Sequence, residues 1–187
     1  GTPAFTFTGD LNTGMFSPGA DQLDLVTAGV SALKISAAGE ITQPLQPAFL
    51  AYNSATDANQ TGNGAVATVD FDTEVFDQGG DFATDTFTAP VTGRYRLSAK
   101  VLVTALTAAM VTQRINIVTS NRTISSGGDI VPQASGAWAG QVTDLFDMDA
   151  ADTATVTVAV SSGVGDTASI SGSASPHFTT FSGELVV

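Results

Sequence analysis

A single histidine, His177, and no cysteine limit the nucleophilic and acid–base chemistry open to this sequence. A Ser-His-Asp triad would have to use His177, which sits between Pro176 and Phe178 at the entrance to an expected strand. Neither a Gly-x-Ser-x-Gly elbow nor a Gly-x-x-x-x-Gly-Lys phosphate loop is present. Zinc takes several His or Cys ligands, which this chain lacks. A lone histidine of this kind reads as structural or surface-exposed. No catalytic, cofactor-binding or metal residue is assigned, and the chain is read as a non-enzyme with no cofactor. Carboxylates are plentiful. Asp70 and Asp72 lie two apart on an expected strand, hence on one face, and Asp147, Asp149 and Asp152 cluster near a strand end. Calcium takes six to eight oxygen ligands, but neither group has an EF-hand or repeat-type calcium pattern, so both read as solvated acids. Trp138, beside a Ser/Gly/Ala loop, offers an aromatic face for stacking a sugar. A single Trp is more often a core or interface residue, and that reading is preferred.

The element that must position such groups runs from Phe71 to Val103. In its second half Tyr95, Leu97, Ala99, Val101 and Val103 fall on one face, and Arg94, Arg96, Ser98, Lys100 and Thr104 on the other. Successive strand side chains point to opposite faces, so this alternation predicts a long, half-buried β-strand. Ala-Pro and then Gly93 make a sharp entry to it. Phe76, Phe82 and Phe87, set among Asp and Gly, read as strand ends meeting at a loop-rich rim.

Phe71, Asp77, Phe82, Phe87, Gly93 and Tyr95 together resemble the core signature of the globular heads of the complement first-component q-subunit and tumour-necrosis-factor superfamily. The closing PHFTTFSGELVV resembles the last strand of that family, Phe-x-Gly followed by apolar residues. Two positions depart from the pattern: the gap from Phe82 to Phe87 is shorter, and Leu97 stands where a Phe is usual. The resemblance covers about Pro47 to Val187 and implies a ten-stranded jelly-roll sandwich that assembles as a homotrimer. It also implies that the long strand lies in the inner sheet, whose outer face packs around the trimer axis, with the final strand and its Glu184 alongside. Three of the six basic residues, Arg94, Arg96 and Lys100, share that polar face. They are expected to pair with carboxylates within or between subunits, fixing register more than adding stability.

Residues 1 to 46 have a different texture: very short apolar runs cut by Gly-Asp, Asn-Thr-Gly, Ser-Pro-Gly and Ala-Ala-Gly. Strand-like pieces are expected at Ala4 to Thr8, Gln22 to Thr27, Ser31 to Ser36 and Glu40 to Gln43. So short a segment buries little surface alone, whereas three copies wrapped together would share one core along an axis. Gly9, Asp10, Asn12, Thr13, Gly14, Phe16, Pro18 and Asp21 resemble a recurring piece of bacteriophage tail-fibre and virion-fibre proteins. Pro44 and Pro47 bracket a stiff two-residue connector, the expected boundary between an intertwined β-stranded stem (1–46) and a head (47–187). In the head, strands are expected at PAFLAYN, AVATVDFDTEV, Val111 to Val118, Arg122 to Val131, QVTDLFDMD, ATVTVAV and the chain end. SATDANQTGNG reads as a polar loop.

Composition sets outer bounds. Thr, Ala, Val, Gly and Ser dominate and only 13% of the 187 residues are charged, which suits many short strands and turns. A formal net charge of −12 argues against nucleic-acid binding, which needs a basic footprint, and against docking on a bare anionic membrane. No window approaches the roughly 20 apolar residues of a membrane span, so no membrane insertion is expected. Gly1 begins mid-pattern with no charged-then-apolar leader, so the expectation is a fragment of a longer chain. The sequence therefore reads as an all-β, homotrimeric virion fibre protein, extracellular on the virion. Its head would attach a phage to a host cell-surface receptor (glycan or protein), by residues the sequence does not assign, while other virion proteins hold its base. The alternatives are a structural capsid, collar or tail decoration without receptor binding, and the head of a bacterial extracellular trimeric surface protein. An enzymatic rival, a polysaccharide depolymerase working through paired carboxylates, usually needs a much larger β-helical body.

Overall fold

In the computed structural model, which describes residues 3–129 and 136–186, every regular element is a β-strand. The chain divides into two compact units, Gly1–Gln46 and Pro47–Val187.

The first unit is an antiparallel meander of β1 (Phe5–Phe7), β2 (Asp10–Phe16), β3 (Leu23–Thr27), β4 (Val30–Ile35) and β5 (Ile41–Thr42), adjacent in chain order. Register places Phe5, Met15, Leu25 and Leu33 in one cross-strand row and Leu23, Ile35 and Ile41 in another. Both rows lie on one face, which stays largely open: Phe5 is 71% and Ile41 64% exposed. Asp24 and Val26, on the other face, are buried, and Asp24 accepts a 2.5 Å hydrogen bond from the Ser31 hydroxyl. The Asn-Thr-Gly expected to break the chain instead lies inside β2. The turn falls at Gly9 (φ +89°), and Gly14 is needed where a Cβ would meet the Phe5 carbonyl oxygen.

The second unit stacks two sheets. One runs β10 (Phe82–Ala83), β11 (Thr86–Thr88), β16 (Thr153–Ser161), β13 (Thr112–Thr119) and β14 (Thr123–Asp129). The other runs β9 (Thr73–Asp77), β6 (Ala48–Tyr52), β18 (Thr180–Leu185), β12 (Gly93–Thr104) and β15 (Ala137–Met148). These ten strands form a jelly roll in which strands distant in sequence lie side by side. Three short strands are added to it: β8 (Val66–Thr68) against β16, and β17 (Ala168–Ile170) with β7 (Asp57–Thr61) beside β12. Two of these additions correct the sequence reading, since β7 lies in the expected polar loop and β17 in the run after β16. The expected strand AVATVDFDTEV is in fact β8 and β9 with a break at 69–72, so Asp70 and Asp72 sit in a connection and share no strand face. The expected run from Arg122 emerges as Thr123–Asp129, and its end lies outside the described residues.

The core between the sheets follows from alternation. Tyr95, Leu97, Ala99, Val101 and Val103 are all buried, and β12 pairs with β15 along its whole length. Phe49 is the centre of an aromatic group. Its ring stacks on Phe82 (4.9 Å) and Phe87 (4.8 Å) and meets Phe181 edge-on (5.0 Å). The short Phe82-to-Phe87 spacing is a two-residue hairpin: Phe82 pairs with Phe87, and Thr84 (φ +48°) and Asp85 (φ +63°) make the turn. Phe181 and Gly183 of the closing strand both point inward, Gly183 leaving room for the Phe49 ring and Leu97.

Of the buried polar residues in this unit, which include Asn53, Thr61 and Thr179, Gln113 stands apart. Gln113 is 1% exposed, and among the described residues neither atom of its side-chain amide has a hydrogen-bond partner. A buried unpaired amide costs about 1–3 kcal/mol. Gln113→Met, which nearly conserves shape, is expected to raise stability by about that much, read as a higher urea midpoint at unchanged m-value.

Candidate functional site

The two sheets present different outer faces. On the β10–β14 sheet the outward residues are largely Thr, Ser and Asn, tied by ladders such as Asn116 Nδ2 to Thr157 Oγ1 (2.9 Å) and Ser125 Oγ to Asn116 Oδ1 (2.7 Å). Such a face is satisfied by itself and by water.

The β9–β6–β18–β12–β15 sheet is different. Reading across β15, β12, β18 and β6, one row is Leu145, Arg96, Glu184 and Ala48. The next is Thr143, Ser98, Ser182 and Leu50, ending on Phe76 of β9. A third is Gln141, Lys100, Thr180 and Tyr52. Leu145 is 47% and Phe76 49% exposed. Between them the small residues of the second row leave an open dent of about 250 Å³, walled by Phe76 and by the Arg96 and Glu184 side chains. The mapped face carries three cations and two carboxylates (Arg94, Arg96 and Lys100 with Glu184 and Asp147), whereas the whole chain has a net charge of −12. Like-charged copies would repel least here.

The expected ion pairs are partly present. Arg96 and Glu184 face each other in register and pair within the chain at 3.0 Å, each side chain 54% exposed. In water such a pair is worth about 0–1 kcal/mol, so its effect is on register. Lys100, in contrast, donates to the backbone carbonyl of His177 at 3.0 Å rather than to a carboxylate. Arg94 stands across from Asp147, whose carboxylate is paired with Arg122. His177 stacks flat on Tyr52 (3.8 Å, 8°), which makes it part of this surface's framework.

The other sequence candidates are structural. Asp152 Oδ2 accepts from the Asp149 backbone N–H and from Asn121 Nδ2, both at 2.8 Å. With the Arg122–Asp147 pair this clamps the β15–β16 turn, where Ala151 has φ +75°. Among the described residues no three His, Cys, Asp or Glu side chains converge as a metal site requires. The Trp138 ring lies over Gly140 and packs, partly buried, on the core, in keeping with the preferred reading of it as a core or interface residue. Of the apolar outer-face residues the sequence reading named Phe76 alone, at a rim with Phe82 and Phe87, but those two are core rings and Phe76 is exposed on the outer face. A signal for the others exists. Val142, Phe146 and Met148 alternate inward in β15, leaving Leu145 out of phase, and Leu50 and Tyr52 are likewise out of phase with Phe49 and Ala51 in β6.

Asp70 does have an unusual environment. Partial desolvation of a residue that stays largely exposed, then the negative charges of Asp85, Asp57 and Asp72 and a hydrogen bond with Asp85, raise its carboxyl to about 6. Asp72 holds the Ser54 hydroxyl (2.6 Å) and backbone N–H (2.9 Å), and Asp85 accepts from the Phe71 N–H (2.6 Å). A carboxyl whose folded-state pKa is raised favours the folded state only while protonated. Its contribution is full below the ordinary value of 3.8 and is lost as pH rises through about 6. Asp70→Asn is therefore expected to melt higher than the parent at pH 7. The gap should be on the order of a degree or two, because solvent screens an exposed group, and should close as pH falls below 5. Calorimetry across that range checks it.

No protein-family model and no curated protein matches this sequence. Solved structures do. The globular domain of zebrafish complement 1qA superposes with a TM-score of 0.54 at 16% identity, covering 76% of this chain and 98% of that one. Murine APRIL at pH 5.0 gives 0.52 at 15%, covering 75% and 99%. The vertex protein P5 of phage PRD1 gives 0.52 at 12%, covering 76% and 99%. At these identities the likeness is one of fold: the chain carries a jelly roll of the complement-1q and tumour-necrosis-factor type.

Proposed function

We propose that this chain is a homotrimeric, non-enzymatic virion fibre protein whose jelly-roll head is displayed for host attachment. The observation that carries the reading is the outer face of the β9–β15 sheet. It holds exposed Leu145 and Phe76 beside Leu50 and Tyr52, and three cations, in a strongly acidic chain. Such a face is suited to burial against other copies. In the first unit, the open apolar rows through Phe5 and Ile41 support a stem in which three copies share a core. The resemblance of Gly9 to Asp21 to phage fibre segments and the fold likeness to a phage vertex protein support a place on a virion. Three linked heads would raise the effective concentration for second and third contacts with a cell surface. Loops at the ends of the sandwich are where a receptor would be met.

Full-length protein, added in excess to a panel of bacterial hosts, is expected to bind one of them and to block adsorption of the phage that carries it. The likeness to a vertex protein also favours a second reading, a structural decoration of the virion without receptor binding. Protein incorporated into virions but without effect on adsorption would select that reading.

A further inference from the structure

We infer that Leu145 of one copy enters the dent on the neighbouring copy, seated over Ser182 and against Phe76. The inference rests on the trimer proposed above and adds its register. Knob and dent lie on the same face of the same sheet but at different places. Leu145 sits on β15, which among the described residues pairs with β12 alone, and the dent spans β12, β18 and β6 as far as Phe76. A protrusion and a recess at separate positions make a heterologous contact, in which each copy gives its knob to the next and receives one in return. Such contacts close into rings when the rotation allows.

The chemistry of the two parts agrees. The dent is floored by Ser98, Ser182 and Gly183 and has an aromatic wall in Phe76, so a branched aliphatic side chain would displace water there without stranding a charge. Its polar wall, Arg96 with Glu184, is already paired at 3.0 Å and enters the interface as a neutral unit. Leu145 has a use for the site, being 47% exposed on a strand whose neighbours Val142, Phe146 and Met148 are buried. The occupant is a second copy because the chain's charge of −12 keeps copies apart elsewhere, while this face carries more cations than carboxylates. The recess belongs to one copy and the knob to the next, so the contact is incomplete in a single chain.

The absence of native cysteine permits a direct test on the full chain. Within one chain β15 and β18 are separated by β12, which puts positions 145 and 182 roughly 10 Å or more apart. A disulfide needs Cα atoms within about 7 Å, so the pair cannot close inside a chain. The double variant Leu145→Cys, Ser182→Cys, mildly oxidised, is expected to run as a covalent trimer on a non-reducing gel, and each single variant as a monomer. A double variant that stays uncrosslinked while light scattering reports a trimer would overturn this contact and leave the trimer standing. A monomeric mass for the unmodified chain would overturn both. If the variants fold poorly, Leu145→Asp gives a second reading: the contact predicts loss of the trimer with an unchanged far-ultraviolet β spectrum, and a trimer retained at micromolar protein would contradict it.

Discussion

Phe49→Ala is expected to cost about 3–5 kcal/mol of head stability, the usual range for emptying a buried aromatic site. The Phe49 ring is 1% exposed and touches three other rings, from the β10–β11 hairpin (Phe82, Phe87) and from the closing strand (Phe181). Its loss therefore leaves a cavity bounded by both sheets. Hairpin residues Thr84 and Asp85 hold positive φ, so this rim has little freedom to collapse into the void. A domain stable by about 5–15 kcal/mol would lose a large share of its margin. Urea denaturation followed by tyrosine and tryptophan fluorescence checks it. A midpoint shift equivalent to under 1 kcal/mol would mean that the two sheets are not joined through this ring.

The second large effect comes from adding atoms at the same place. Gly183 lies on β18 between Phe49 and Leu97, and a Cβ there would sit 2.5 Å from Phe49 Cε1 and 2.6 Å from Leu97 Cδ2. Both are far inside contact distance, and both side chains are buried in a dense core. Gly183→Ala is thus expected to cost about 1–3 kcal/mol by overpacking, although alanine is the smaller loss of chain entropy on folding. Trimming the obstruction, Gly183→Ala with Leu97→Val, should recover part of the loss, since the two positions share one space. If Gly183→Ala leaves the urea midpoint where it was, the packing of the closing strand is wrong.

These two positions also show what could be read from the chain alone. The Phe-x-Gly of the last strand and the alternation from Tyr95 to Val103 are period-two signals, and period two survives in sequence because each inward residue must be apolar. Those strands were legible for that reason, while the jelly roll was what the family resemblance of Phe71, Asp77, Phe82, Phe87, Gly93 and Tyr95 implied. The departure at Leu97 has a physical partner in the space around Gly183 and Phe49, visible only once strands far apart in sequence lie side by side. Strands without apolar alternation were not legible. β7 is Asp-Ala-Asn-Gln-Thr, held by pairing with β17 and by hydrogen bonds of Asp57 and Thr61 rather than by apolar side chains, and β2 carries its Gly14 in mid-strand because Phe5 approaches there. The outer face was half legible. Its cations were identified and one expected pair, Arg96 with Glu184, is present, but Leu145 and Phe76 become a surface only through cross-strand register. The acid group around Asp70 could not be read, because Asp57 reaches it from β7 and Asp85 from the β10–β11 turn.

The account stands on the chain assembling as a homotrimer. Light scattering of the full chain at micromolar concentration tests that most directly. The prediction is a single species of about three times the 18.9 kDa chain mass, unchanged on moderate dilution. A species of 18.9 kDa would contradict it and leave the head as a lone β-sandwich.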